Sequence, residues 1–281
     1  MKFGLNALLY TASFSNDELG LISRVADLGY DGIELPFIDL DVIDAAATRR
    51  ALEAAGIGAT GCAVLMPGTN LISDDEAERA AGVARLKRCV DIAAEIGADG
   101  VAGPLYSPVG HLTGDGRTDE EWQRGIDGLR AAAEHAGAAG VALAIEPLNR
   151  FETYFINTAA DALALVEAVD HPALSVQLDT FHANIEEKDT PAAIRLLGAR
   201  LGHFHACEND RGQPGTGQVP WDGVFAALDD VGYDGWVVIE TFARGIRDLC
   251  KAACIWRDIY SDPEGLARDG LAFLKEKAGA A

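Results

Sequence analysis

The feature that most constrains this chain is a short phrase that returns four times: the end of an amphipathic helix, a glycine turn, then an apolar run. It reads ADLGYDGIEL at residues 26–35, IGADGVAGPL at 96–105, AGAAGVALAIE at 136–146 and VGYDGWVVIE at 231–240. Each copy has the form of a helix closed by glycine, a tight turn and a buried strand. Similar breaks precede 58–65, 174–182 and 201–207, and another apolar run, 3–9, opens the chain. The pattern predicts eight strands, at 3–9, 32–36, 58–65, 100–106, 141–148, 174–182, 201–207 and 235–242. Between them, stretches such as 75–98 and 118–136 place apolar residues at helical spacing. Strict alternation of strand and helix makes the strands parallel. Eight units of about 35 residues use the whole chain of 281, as a closed (β/α)8 barrel would. An open doubly wound sheet is the competing architecture, but its G-x-G-x-x-G fingerprint after the first strand is missing. The expectation is therefore the α/β class, a (β/α)8 TIM barrel forming one domain over residues 1–281.

Charge and composition narrow the partners. With 23 Lys+Arg against 44 Asp+Glu the net charge is −21, which disfavours general binding to nucleic acid. No apolar run approaches the roughly 18–20 residues needed to span a bilayer. The N-terminus shows no signal-peptide pattern, and five cysteines are an odd number for a disulfide framework. The expected setting is cytoplasmic, with neither nucleic acid nor membrane as partner.

Barrel enzymes carry their chemistry at the C-terminal ends of the strands. Four consecutive expected strands finish apolar runs with ionisable groups: Glu146, Asp179, His205 and Glu240, separated by 33, 26 and 35 positions. Taken singly, each is also what an ordinary polar strand end looks like. Taken together, three carboxylates at one barrel mouth would repel one another without a cation. Three oxygen ligands and an imidazole suit Mn²⁺, Mg²⁺ or Co²⁺, with zinc left open. Close in sequence stand Glu152, His182 and Arg211, which could equally be a loop acid, a loop histidine and a surface arginine. His203 shares a strand face with His205 and is expected deeper in the barrel. Cys250 and Cys254, four apart, are expected to pack a helix into the core.

Specific motifs then carry a resemblance. The stretches IEPLNRFET at 145–153, LDTFH at 178–182 and HFHACENDR at 203–211, with PGTG at 214–217, Trp221 and VIE at 238–240, resemble the ketose 3-epimerase family. That is the D-tagatose 3-epimerase and D-allulose (D-psicose) 3-epimerase group of the xylose-isomerase-like barrels. The resemblance implies one divalent metal, usually Mn²⁺, on Glu146, Asp179, His205 and Glu240, with Glu146 and Glu240 also performing proton transfer. It implies that Glu152, His182 and Arg211 bind the O1–O3 end of a sugar. Asn6, Cys62 and Tyr106 fall at variable substrate-lining positions. A homo-oligomer, dimer or tetramer, is implied as well.

The chemistry expected is reversible C3 epimerisation of a free ketohexose, by proton removal and return through a cis-enediolate. The six lysines (2, 87, 188, 251, 275 and 277) miss every expected strand end, which argues against a Schiff-base aldolase. A multi-zinc endonuclease of related fold would need more ligands than six histidines readily supply. An aldose–ketose or hydroxypyruvate-type isomerase remains the alternative. The glycine-rich loop at 212–217 leaves a sugar phosphate open as substrate.

Overall fold

Eight strands form where apolar runs meet glycine turns, and seven of them end sooner than those runs. A computed structural model describes residues 1–279, apart from the side chain of Asp248. Residues 280 and 281 of the expected domain lie outside the described residues. The strands are β1 (Lys2–Asn6), β2 (Gly32–Phe37), β3 (Gly58–Ala63), β4 (Gly100–Gly103), β5 (Ala142–Ile145), β6 (Leu174–Asp179), β7 (Leu201–Ala206) and β8 (Trp236–Ile239). They pair in parallel and in chain order, and β1 closes on β8. The apolar runs outlast the strands because burial outlasts pairing. Leu8, Leu9, Leu65, Leu105 and Leu148 follow strand ends and stay buried in the loops above the barrel.

Helices wrap the ring. They are α1 (Gly20–Asp27), α2 (Ala45–Ala55), α3 (Glu76–Ile96), α4 (Asp119–Ala139), α5 (Ala159–Val169), α6 (Thr180–Glu186), α7 (Thr190–Leu197), α8 (Trp221–Asp230), α9 (Arg247–Ala252) and α10 (Pro263–Lys277). Their ends follow local chemistry: Thr118 and Glu121 form a capping box on α4, and Gly140 closes it at φ 72°, a backbone state that costs glycine nothing. The run read as strand to residue 182 is cut short by the same rule. Asp179 accepts a hydrogen bond from the Phe181 N–H at 2.7 Å and starts α6 directly from β6. Cys250 is half-buried on α9, whereas Cys254 lies beyond that helix and is exposed, so it does not pack the core as expected.

The floor of the barrel is closed by an indole. Trp236 lies across β1, β2 and β3 at glycines, and a Cβ on Gly32 would meet its ring at 2.4 Å. Its Nε1 donates to Asp99 Oδ2 at 2.9 Å. The other end of the barrel is open, and the reactive groups are there. Among the described residues no helix is long and apolar enough to cross a membrane.

Candidate active site

A cavity of about 440 Å³ opens over the C-terminal ends of the strands. Its floor presents Glu146, Glu152, His182, His205, Arg211 and Glu240, while the opposite wall is apolar, including Leu8, Ile38, Val64, Met66, Phe242 and Leu249. Glu146 directly follows β5, and its N–H donates to the Gly103 carbonyl at 3.0 Å, carrying the ladder one residue past the strand. Asp179 ends β6 in register with His205 on β7, and Glu240 directly follows β8. Arg211 sits in the loop after β7 at φ 68°, a conformation rare for a residue with a Cβ. Its guanidinium stacks on Phe181 at 4.2 Å and lies 5.1 Å from the Phe242 ring.

The four expected metal holders are neighbours in a row. Groups of three donor atoms mutually within 4.8 Å are formed by Glu146, Asp179 and His182, by Asp179, Cys207 and Glu240, and by His205 with Glu34 and His203. His205 Nδ1 then lies 3.5 Å from Glu240 Oε1. Arg211 Nη1 bridges Asp179 Oδ2, at 2.6 Å, and Glu240 Oε2. The two glutamates are pushed in opposite directions. Burial first, then the charges of Asp179 and Glu240, hold the Glu146 carboxyl well above its ordinary range against the pull of His205 and Arg211. For Glu240 burial is outweighed by Arg211 and His205, which bring it down to about 2. Such a split is how one site divides acid from base between two carboxyls. Burial and the Arg211 charge bring His182 down to about 3, so it is neutral at pH 7. Its Nδ1 accepts from the Asn149 N–H at 3.0 Å, and Arg211 Nη2 lies 3.0 Å from its Nε2.

The remaining expected residues divide. Glu152 faces the cavity and accepts from Asn149 Nδ2 at 2.8 Å. Cys62 lines the cavity wall. Asn6 is fully buried beneath it, donating to Glu34 Oε1 at 2.8 Å, and Tyr106 is fully buried with its hydroxyl donating to the Glu146 carbonyl at 2.9 Å. Neither lines the cavity, so both support the site from behind rather than forming its wall. One amide of the loop at 212–217, that of Gly215, turns inward. Gly215 N and Val219 N donate to the buried carboxylate of Glu208 at 2.9 and 3.3 Å, and Trp221 Nε1 donates to it at 2.7 Å.

Sequence reasoning passed over Glu34, Asn149 and Glu208. Glu34 carried a visible signal: it follows Ile33 at a strand, as Glu146 follows Ile145 and Glu240 follows Ile239. Asn149 stood inside a motif without a chemical role, and Glu208 gave no signal separable from a solvated loop acid.

The sequence model of the family described as xylose isomerase-like TIM barrel matches residues 22–277. A probable ketose 3-epimerase of Synechocystis sp. is 36% identical over 276 residues, covering 98% of this chain and 96% of its own length. The chain belongs to the ketose 3-epimerase family. A ketose 3-epimerase of Arthrobacter globiformis is 34% identical, over 99% of this chain and 96% of its own. The crystal structure of D-allulose 3-epimerase from Methylomonas sp. in complex with D-allulose superposes with a TM-score of 0.94 at 31% identity, covering 99% of this chain and 97% of that one. The protein is thus an isomerase of the epimerase type.

Proposed function

We propose that this epimerase interconverts free ketohexoses at C3, in the manner of D-fructose with D-allulose and D-tagatose with D-sorbose. The observation that carries the reading is the pair of cavity-facing carboxylates, Glu146 from β5 and Glu240 from β8, each with Asp179 as a neighbour within 4.8 Å. Inverting C3 requires one group to remove a proton from one face and a second to return one from the other. Glu240 removes the C3 proton in one direction and Glu146 delivers one, and the roles exchange in reverse. Arg211 and His182 hold the oxygens of the C1–C3 end by hydrogen bonds, and Glu152 accepts from a hydroxyl. The apolar wall keeps water from the C3 carbanion.

The residues also fit a divalent cation. Three carboxylates and an imidazole lie in a buried row, and Glu146 Oε1 is buried there without a hydrogen-bond partner. Glu146, Asp179, His205 and Glu240 would hold it, Mn²⁺ first and Co²⁺ or Mg²⁺ as alternatives. When bound, it supplies Lewis-acid stabilisation of the negative charge developing on the sugar. The Gly215 amide of the 212–217 loop already holds the Glu208 carboxylate, which supports free sugars over phosphorylated ones.

The test is incubation with D-fructose, D-tagatose and D-allulose in D₂O, followed by chromatography and NMR of the products. Epimers carrying deuterium at C3 are expected. Products that retain the original hydrogen would sink proton transfer and point to the hydride shift of an aldose–ketose isomerase.

A further inference from the structure

Behind His205 lies a second carboxylate that the proton chemistry does not use. Glu34 is fully buried on β2, at the register position between Asn6 of β1 and Thr60 of β3. Its two oxygens face donors only. Oε1 accepts from Asn6 Nδ2 at 2.8 Å and lies 2.7 Å from His205 Nε2. Oε2 accepts from Thr60 Oγ1 at 2.9 Å. His203 Nε2 lies 2.8 Å from that oxygen, an ion-pair distance without the alignment of a hydrogen bond. A buried carboxylate clamped by three other side chains cannot turn to follow His205. The histidine must instead conform to it.

The consequence falls on the imidazole's other nitrogen. A neutral imidazole has one N–H and one lone pair, and an ionised carboxylate can only accept. In the neutral ring that a cation would bind, contact with Glu34 keeps the N–H at Nε2 and leaves the lone pair at Nδ1. The Gln177 amide lies 3.0 Å from Nδ1, a contact that a cation at Nδ1 would replace. Nδ1 is also the nitrogen nearest Glu240, at 3.5 Å. The His203 ring packs edge-on against His205 with centroids 5.2 Å apart, which further limits rotation.

We propose that Glu34 is a positioning residue: through Nε2 it fixes the tautomer and ring orientation of His205, so that the Nδ1 lone pair is presented to a divalent cation beside Glu240. The inference rests on His205 being a metal holder. Carboxylates that orient metal-binding histidines in this way typically change affinity 10–100-fold when altered.

The experiment uses the full-length chain and Co²⁺ as probe, read by calorimetric titration and by the visible absorption of the bound ion. Glu34→Gln keeps the size and removes the charge, Glu34→Asp keeps the charge and shortens the reach, and Thr60→Val removes a donor that does not touch His205. Circular dichroism checks the fold of each. Expected is a graded loss of Co²⁺ affinity, several-fold for Glu34→Asp and 10–100-fold for Glu34→Gln, with a shifted Co²⁺ spectrum in both. Thr60→Val loosens the clamp but leaves the Glu34–His205 contact, so its loss of affinity should be smaller than that of Glu34→Asp and its spectrum nearer to wild type. If Glu34→Gln does not fold, the comparison of Glu34→Asp with Thr60→Val decides. Glu34 variants that bind Co²⁺ with wild-type affinity and spectrum overturn the inference and leave the metal site standing. Equal losses in Thr60→Val and the Glu34 variants also overturn it, because a merely structural role predicts that. Wild-type protein that binds no Co²⁺ removes the metal reading itself, and this inference with it.

Discussion

Glu146, Glu240 and Glu152 all face one cavity, yet they should fail differently when changed to glutamine. Glutamine can neither remove nor return a proton at C3, so Glu146→Gln and Glu240→Gln should each lower kcat by about 10²–10⁴-fold in both directions. Glu152 is held through Asn149 and would meet a hydroxyl, so Glu152→Gln should cost about 1.5–3 kcal/mol, felt mainly in KM. Steady-state rates at matched metal occupancy separate the two cases, and a Glu152→Gln variant with dead kcat and unchanged KM would make Glu152 a third proton carrier. Glu146 and Glu240 were legible in the sequence because they end apolar runs at unit spacing and chemistry demands several together, whereas Glu152 drew its role only from the resemblance. Glu34 was not, although it ends the same Ile-Glu pair. Its role depends on reaching across the barrel to His205 from residue 34, and no spacing along the chain encodes that contact.

At the scale of elements, the order of strands and helices was readable because glycine turns and apolar periodicity are local. Strand ends were not, since Leu148 and Leu105 are as buried in loops as any strand residue and leave the same mark in a sequence. Helix starts obey stricter local rules, and α5 offers a test. Thr158 accepts from the Asp161 N–H at 3.2 Å, while Asp161 takes a hydrogen bond from Thr158 Oγ1 at 3.0 Å and an ion pair from Arg117 at 3.0 Å. Thr158→Ala should lower the unfolding free energy by about 1 kcal/mol in urea titrations. Although burial raises it, the Asp161 carboxyl is held below its ordinary value by Thr158 and Arg117. Its contribution is therefore present above the unfolded pKa of about 3.9 and is lost as pH falls through the lower folded value. Asp161→Asn should flatten that part of the acid-stability profile, and an unchanged acid limb would remove the ion pair from the account.

For the whole molecule, a closed ring leaves no free sheet edge, and eight strand ends share one mouth. A cation held by residues of β5, β6, β7 and β8 would tie four of those ends together and bind the folded chain alone. Mn²⁺ at a hundredfold excess over its dissociation constant should then raise the unfolding free energy by about 2.7 kcal/mol, and a chelator should reverse it. Thermal melts in the two conditions measure this directly, and coincident curves would count against the site. The indole laid over the strand glycines has a kinetic counterpart. With Trp236 closing the far end, a sugar that enters the barrel and its epimer that leaves share a single doorway. Substrate and product are then mutually exclusive occupants of one site, so each epimer should inhibit conversion of the other competitively, and a noncompetitive pattern would mean that the two bind different forms of the free enzyme.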